Sequence, residues 1–182
     1  MAADSLHTMP PPSPFNDSGH NLFVVHLHTA ATSTGDQCVR EIAAIDTDSG
    51  RSWEIALAGE GALADDAQAV PELTALARSI AGRVTGGFHP DAHTRLLRRL
   101  FTELGLSPEW HQNSDIRQLT AGALGIPPTH MPTTEQTCNL WGVSVQARES
   151  AVQMAEAAAA CFDALAYFSA GHGRRIVDIQ LN

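Results

Sequence analysis

Apolar residues recur along this chain with two periods, and the switch between them marks out the elements. Residues 22–25, Leu-Phe-Val-Val, form a continuous apolar run leading into His26-Leu27-His28. Alternate side chains of a strand share a face, so His26 and His28 point the same way while Leu27 packs behind them. After the polar loop ATSTGD, residues 38–47 and 51–58 alternate in part and flank Asp48-Ser49-Gly50. That pattern predicts a hairpin after the first strand, hence an antiparallel three-strand start.

The period then changes. Leu73, Leu76, Ala77 and Ile80 stand at helical spacing and predict a helix over 70–81, with Pro71 tolerated in its first turn and Gly82 ending it. Residues 83–88, RVTGGF, read as a short strand, parallel to the first because a helix intervenes. Pro90 opens a second helix through 104, with Leu96, Leu97, Leu100, Phe101 and Leu104 on one face. Arg95, Arg98 and Arg99 on the other face read as solvated charge. Trp110-His111 reads as a brief extended segment, and Asp115 is placed to cap a short helix over IRQLTAGALG. Pro127, Pro128 and Pro132 interrupt the chain before a short helix over 133–140. The last predicted helix covers 147–169, with an apolar stripe of Val152, Ala155, Ala159, Phe162, Leu165 and Ala166.

The order βββαβα followed by helices predicts an α/β fold: a mixed sheet of three antiparallel strands plus parallel strands, flanked by helices. The proline-rich residues 1–20 lack apolar periodicity and read as a disordered tail outside a domain spanning 21–182, and residues 60–68 read as a loop.

Composition narrows the function classes. A formal charge of −9 and a pI near 5.3 argue against a general electrostatic grip on nucleic acid, so any such binding has to be local. Cys38, Cys138 and Cys161 show neither paired spacing nor a metal-ligand motif and read as free thiols in a reducing compartment. No apolar run reaches membrane-spanning length and no signal pattern opens the chain, so the expectation is a cytoplasmic protein without membrane attachment.

Several local patterns, in this order, resemble the metal-dependent 3'-to-5' exonucleases of the RNase H-like superfamily, the group that includes polymerase proofreading domains. They are a first strand ending polar-x-polar-Thr, the hairpin REIAAIDTDSGRSWEIALA, the strand-to-helix junction GGFHPDAHTRLLRRLF, the segment SPEWHQNSDIRQLTAGALGIPP and a terminal helix. The resemblance covers about residues 22–168 and implies an RNase H-like mixed sheet. In that family two divalent hard cations are held by carboxylates, one activating water and the other stabilising the leaving oxygen. The family carries Asp-x-Glu on the first strand, an Asp at the junction helix, and a His followed five residues later by an Asp on the last helix. Those positions fall here on His26, His28, His93, Glu149 and Met154. All five are changed.

The resemblance therefore implies a degenerate cleft in which magnesium or manganese is not expected. Imidazoles prefer borderline metals and bring no negative charge, so the one cofactor with a rationale is zinc, held by His26, His28, His93 and Glu149. HLHTAATSTGD also resembles the opening motif of PHP-type metal-dependent phosphoesterases, but the hairpin that follows and the missing Thr-Asp-His triplet depart from that family. Three function classes remain. The first is a non-catalytic exonuclease-like module that binds single-stranded nucleic acid or a protein. The second is a phosphodiesterase or nuclease with a rebuilt zinc site, and the third is a structural subunit whose Ala-rich last helix joins a homo-oligomer. His89, His111 and His130 read as surface or capping groups.

Overall fold

A computed structural model of the chain describes residues 22–31, 35, 37–57, 66–146 and 149–172. The expected tail, most of the 60–68 loop and the expected start of the last helix at 147–148 lie outside the described residues. Five strands form one sheet: β1 (Leu22–Ala31), β2 (Gln37–Asp46), β3 (Ser52–Ala56), β4 (Val84–Gly87) and β5 (Gln112–Asp115), in the order β3-β2-β1-β4-β5. β1, β2 and β3 run antiparallel through two hairpin connections. β4 is parallel to β1 and β5 is parallel to β4. With helices on both faces, this is an α/β mixed sheet of the RNase H-like arrangement.

β1 is buried on both faces, which explains its unbroken apolar start. Phe23, Val25 and Leu27 face a core completed by Ile42, Trp53, Leu73, Leu76 and Leu97, brought by the sheet and by helices α1 (Ala69–Ile80) and α2 (Pro90–Glu103). Leu22 and Val24 face a second core under α5 (Ala151–Tyr167), with Phe88, Ile116, Cys138 and Phe162. His26 and His28 continue the Leu22–Val24 row and so lie on the α5 side of the sheet. α3 (Ile116–Leu124) and α4 (Thr134–Leu140) pack against α5 and contribute Ile116 and Cys138 to the second core.

Two elements depart from the sequence reading. The fifth strand is Gln112–Asp115, not Trp110-His111. Its sequence, QNSD, has no apolar residue, and it is held by its parallel ladder to β4 and by the Thr85 hydroxyl, which bonds to the Gln112 carbonyl and the Asn113 side chain. α5 begins at Ala151, later than expected. Ser150 caps it, accepting the Gln153 N–H while the Gln153 side chain accepts the Ser150 N–H. This reciprocal pair, readable as Ser-x-x-Gln, fixes the helix start. Its inward stripe is also rotated from the expected one, with Ala151, Ala155, Ala158, Cys161 and Phe162 buried while Val152, Ala159 and Leu165 are half-buried.

The β4–α2 junction is built from glycine for two separate reasons. A side chain on Gly86 would meet Leu22 Cδ1 at 2.7 Å and the Phe162 ring at 2.8 Å. Gly87 has φ 151°, and a Cβ there would stand 2.7 Å from the Val25 carbonyl oxygen. The two glycines let β4 and α5 close onto the end of β1.

Candidate functional site

The carboxyl ends of the three parallel strands β1, β4 and β5 lie at one end of the sheet. The connection reverses direction between β1 and β4, because β2 and β3 extend to one side of β1 while β4 and β5 extend to the other. In open α/β sheets this switch point is where crevices form. The residues gathered here are His26 and His28 from β1, His89 and His93 from the start of α2, and Asp115 from the end of β5.

His26 is the centre of the group. Its ring meets His93 edge-on at a centroid distance of 4.6 Å and His28 at 5.3 Å. Burial, with neighbouring His93, His28 and His89 adding to it, lowers its pKa from 6.5 to about 3. It is therefore a neutral imidazole at physiological pH, and its Nδ1 is buried without a hydrogen-bond partner. His93 sits 3.4 Å from the Val25 carbonyl through Nδ1, and burial holds its pKa below the usual value despite that contact. His93, which the Leu96-Leu97 pattern assigns to the junction position, lies beside His26, and the Asp91 carboxylate accepts from Asn113 Nδ2 at 2.6 Å.

His28 stands directly opposite Glu41 in the β1–β2 ladder, and the register shifts immediately after it, between His28 and Thr29. A bulge at this place aims the pair toward the cleft end. His28 Nδ1 lies 3.3 Å from Glu41 Oε2, and the same oxygen accepts the Ala151 N–H at 3.1 Å, tying β2 to the N-terminus of α5. Glu149, expected to face the histidines, takes the Gln146 N–H of its own loop. It precedes the helix instead of lying on it, so the helical register that aimed it at the cleft does not apply. Met154 is half-buried on α5 and packs against the second core. The structure thus places His26 beside both His28 and His93, and pairs the Glu41 carboxylate with His28.

Glu41 was legible in principle. It is two residues before Ala43, which faces α5, so hairpin pairing puts it beside His28. His89 is exposed and stands at the N-cap position of α2, as the sequence reading expects of a surface or capping group, and its charge also bears on His26 and His93. It adopts φ 55° and ψ 46°, a left-handed conformation uncommon for a residue with a side chain, and no local sequence signal announces it. Asp115 is engaged twice: it caps α3 by accepting the Arg117 N–H and forms a two-point ion pair with the Arg117 guanidinium, the closer contact 2.5 Å.

The donor set decides what the cleft can hold. A pair of magnesium ions requires several carboxylate oxygens, and the five positions implied by the resemblance supply one, on Glu149. The other nearby carboxylates, on Glu41, Asp91 and Asp115, are already bonded to His28 and Ala151, to Asn113, and to Arg117. The residues present do not fit a two-magnesium centre. Among the described residues no three His, Cys, Asp or Glu side chains converge to hold a metal ion, and no helix is long and apolar enough to cross a membrane. No known family model matches the chain, and no curated protein matches it in sequence.

Proposed function

We propose that this chain is a catalytically degenerate relative of the 3'-to-5' exonucleases and works as a non-catalytic interaction module. The observation that carries this reading is His26: at the switch point of an RNase H-like sheet, where hydrolysis would need a metal-holding carboxylate, stands a neutral imidazole. Imidazoles at the strand end, with the nearby carboxylates of Glu41, Asp91 and Asp115 already engaged, are a poor donor set for drawing two hard cations together. The cleft then offers shape and hydrogen-bonding groups without a means of cutting. The acidic balance of the chain favours a protein partner over a polyanion. Titration calorimetry with magnesium and with manganese should give no saturable heat at millimolar concentration. A saturable site abolished by His26→Ala would overturn the reading.

A second reading rests on the orphaned Nδ1 of His26, a buried nitrogen with two imidazoles beside it and no partner. Rotation of these rings toward one point would make a nitrogen-rich site suited to zinc. Elemental analysis of protein purified without chelator separates the two readings: one zinc per chain, lost in His26→Ala, supports the second.

A further inference from the structure

Cys138 lies on the inner face of α4 and Cys161 near the middle of α5, and neither side chain is exposed. Their sulfurs stand 4.0 Å apart, with the Cys161 thiol directed at Cys138 Sγ. That hydrogen bond lowers the pKa of Cys138 against the effect of burial, while the same bond, together with burial, raises Cys161. A disulfide needs sulfurs about 2.05 Å apart, so closure asks for a relative shift of roughly 2 Å between the helices.

α4 can supply that shift. It has seven residues, too few to hold together on its own, and it is bounded by Pro132 before it and by Gly142 at φ 72° after it. Of its residues only Thr137 and Cys138 are buried, so it lies as a thin cover against α3 and α5. Local opening of such a cover exposes both sulfurs without unfolding the sheet. The outer side of α4 contributes Gln136, Asn139 and Leu140 to an open groove of about 610 Å³ that Ile126, His130 and Pro132 complete. This groove shares no residue with the histidine cleft.

We propose that Cys138 and Cys161 are a latent redox pair, closed by a small exchangeable disulfide into an intramolecular bond that fastens α4 to α5. The Cys138 thiolate attacks one sulfur of the reagent, forming a mixed disulfide and releasing one reagent thiol. Cys161 Sγ then attacks Cys138 Sγ, its proton passing to the departing reagent sulfur, so that the internal bond forms as the second thiol is released. The two cysteines lose two protons and two electrons, and the reagent's disulfide takes up both to become two thiols. The bond closes the chain from 138 to 161 and sets how freely α4, and with it the groove wall, can open.

The test uses the whole chain and oxidised glutathione. After incubation, the protein is denatured, alkylated and mapped by peptide mass spectrometry. The expected product is a peptide pair joined through Cys138 and Cys161, with a rise in Tm on the order of 5–10 °C that added dithiothreitol reverses. Cys38→Ser should leave the product unchanged, and Cys161→Ser should stop the reaction at a glutathione adduct on Cys138. Repeating the incubation in denaturant below the unfolding transition, with amide exchange reporting α4 opening, removes access as an obstacle. Two alkylatable thiols at 138 and 161 under that condition, or a stable glutathione adduct on Cys138 of the unaltered chain, would overturn the proposal.

Discussion

A histidine held near pKa 3 titrates far below its value in an unfolded chain, and His26 therefore makes the stability of this protein sensitive to mild acid. Its folded pKa lies below the unfolded value of 6.5, so its contribution is complete above pH 6.5 and is lost as pH falls from there toward 3. His89 and His93 shift in the same direction, burial leading in both. Asp46 adds to the loss at lower pH: burial raises its pKa, but hydrogen bonds from Ser49, Arg83 and the Asp48 backbone outweigh that and hold it below 3.8. Denaturant midpoints should be constant between pH 7 and 8 and should fall between pH 6.5 and 4, His26 alone accounting for up to about 3 kcal/mol over that range. His26→Asn should flatten the upper part of that slope, and a wild-type midpoint unchanged down to pH 4 would contradict the burial of a neutral ring. A second expectation concerns restoration. The triple variant His26→Asp, His28→Glu, His93→Asp should remain inactive with magnesium, because α5 would still bring no His and Asp to the end of β1; robust turnover by it would show that such a pair is dispensable.

Elements with an apolar period were legible and elements without one were not. β1 to β4, α1, α2 and α4 follow from runs, alternation and helical stripes, and their bounds shift by only a residue or two. β5 was missed because Gln112, Asn113, Ser114 and Asp115 carry no hydrophobic signal; their strand is imposed by β4. The start of α5 was written in Ser150 and Gln153, a local cue that the Ala-rich periodicity around it obscured. The Cys138–Cys161 approach could not be read at all, since it depends on how a seven-residue helix lies across another helix. At this scale Ser150→Ala should cost about 1 kcal/mol through the lost cap. Gly87→Ala should cost more, roughly 2–4 kcal/mol, because it combines a positive φ with a 2.7 Å approach to the Val25 oxygen. Urea denaturation of the two variants checks the order, and an equal or reversed ranking would mean that the junction relaxes freely.

Across the whole molecule, the two ends of the sheet have different characters. At the amino end of β4, Arg83 bonds Asp46 at 2.5 Å and Asp48 at 2.9 Å, pinning the β2–β3 turn to the centre of the sheet. At the opposite end the strands deliver imidazoles to a crevice that in a two-metal hydrolase would have to be rich in carboxylates. The sequence carried the histidine pair and the junction, and so located the crevice; Glu41 and His89 join it only through strand pairing and a left-handed turn. The central proposal is that this end of the sheet does not cut nucleic acid. Its most direct test is the release of labelled nucleotides from the 3' end of single-stranded DNA and RNA by the purified chain, with magnesium and separately with manganese. The account predicts intact oligonucleotide after many hours at enzyme excess. Progressive shortening from the 3' end that disappears in His26→Ala would contradict it.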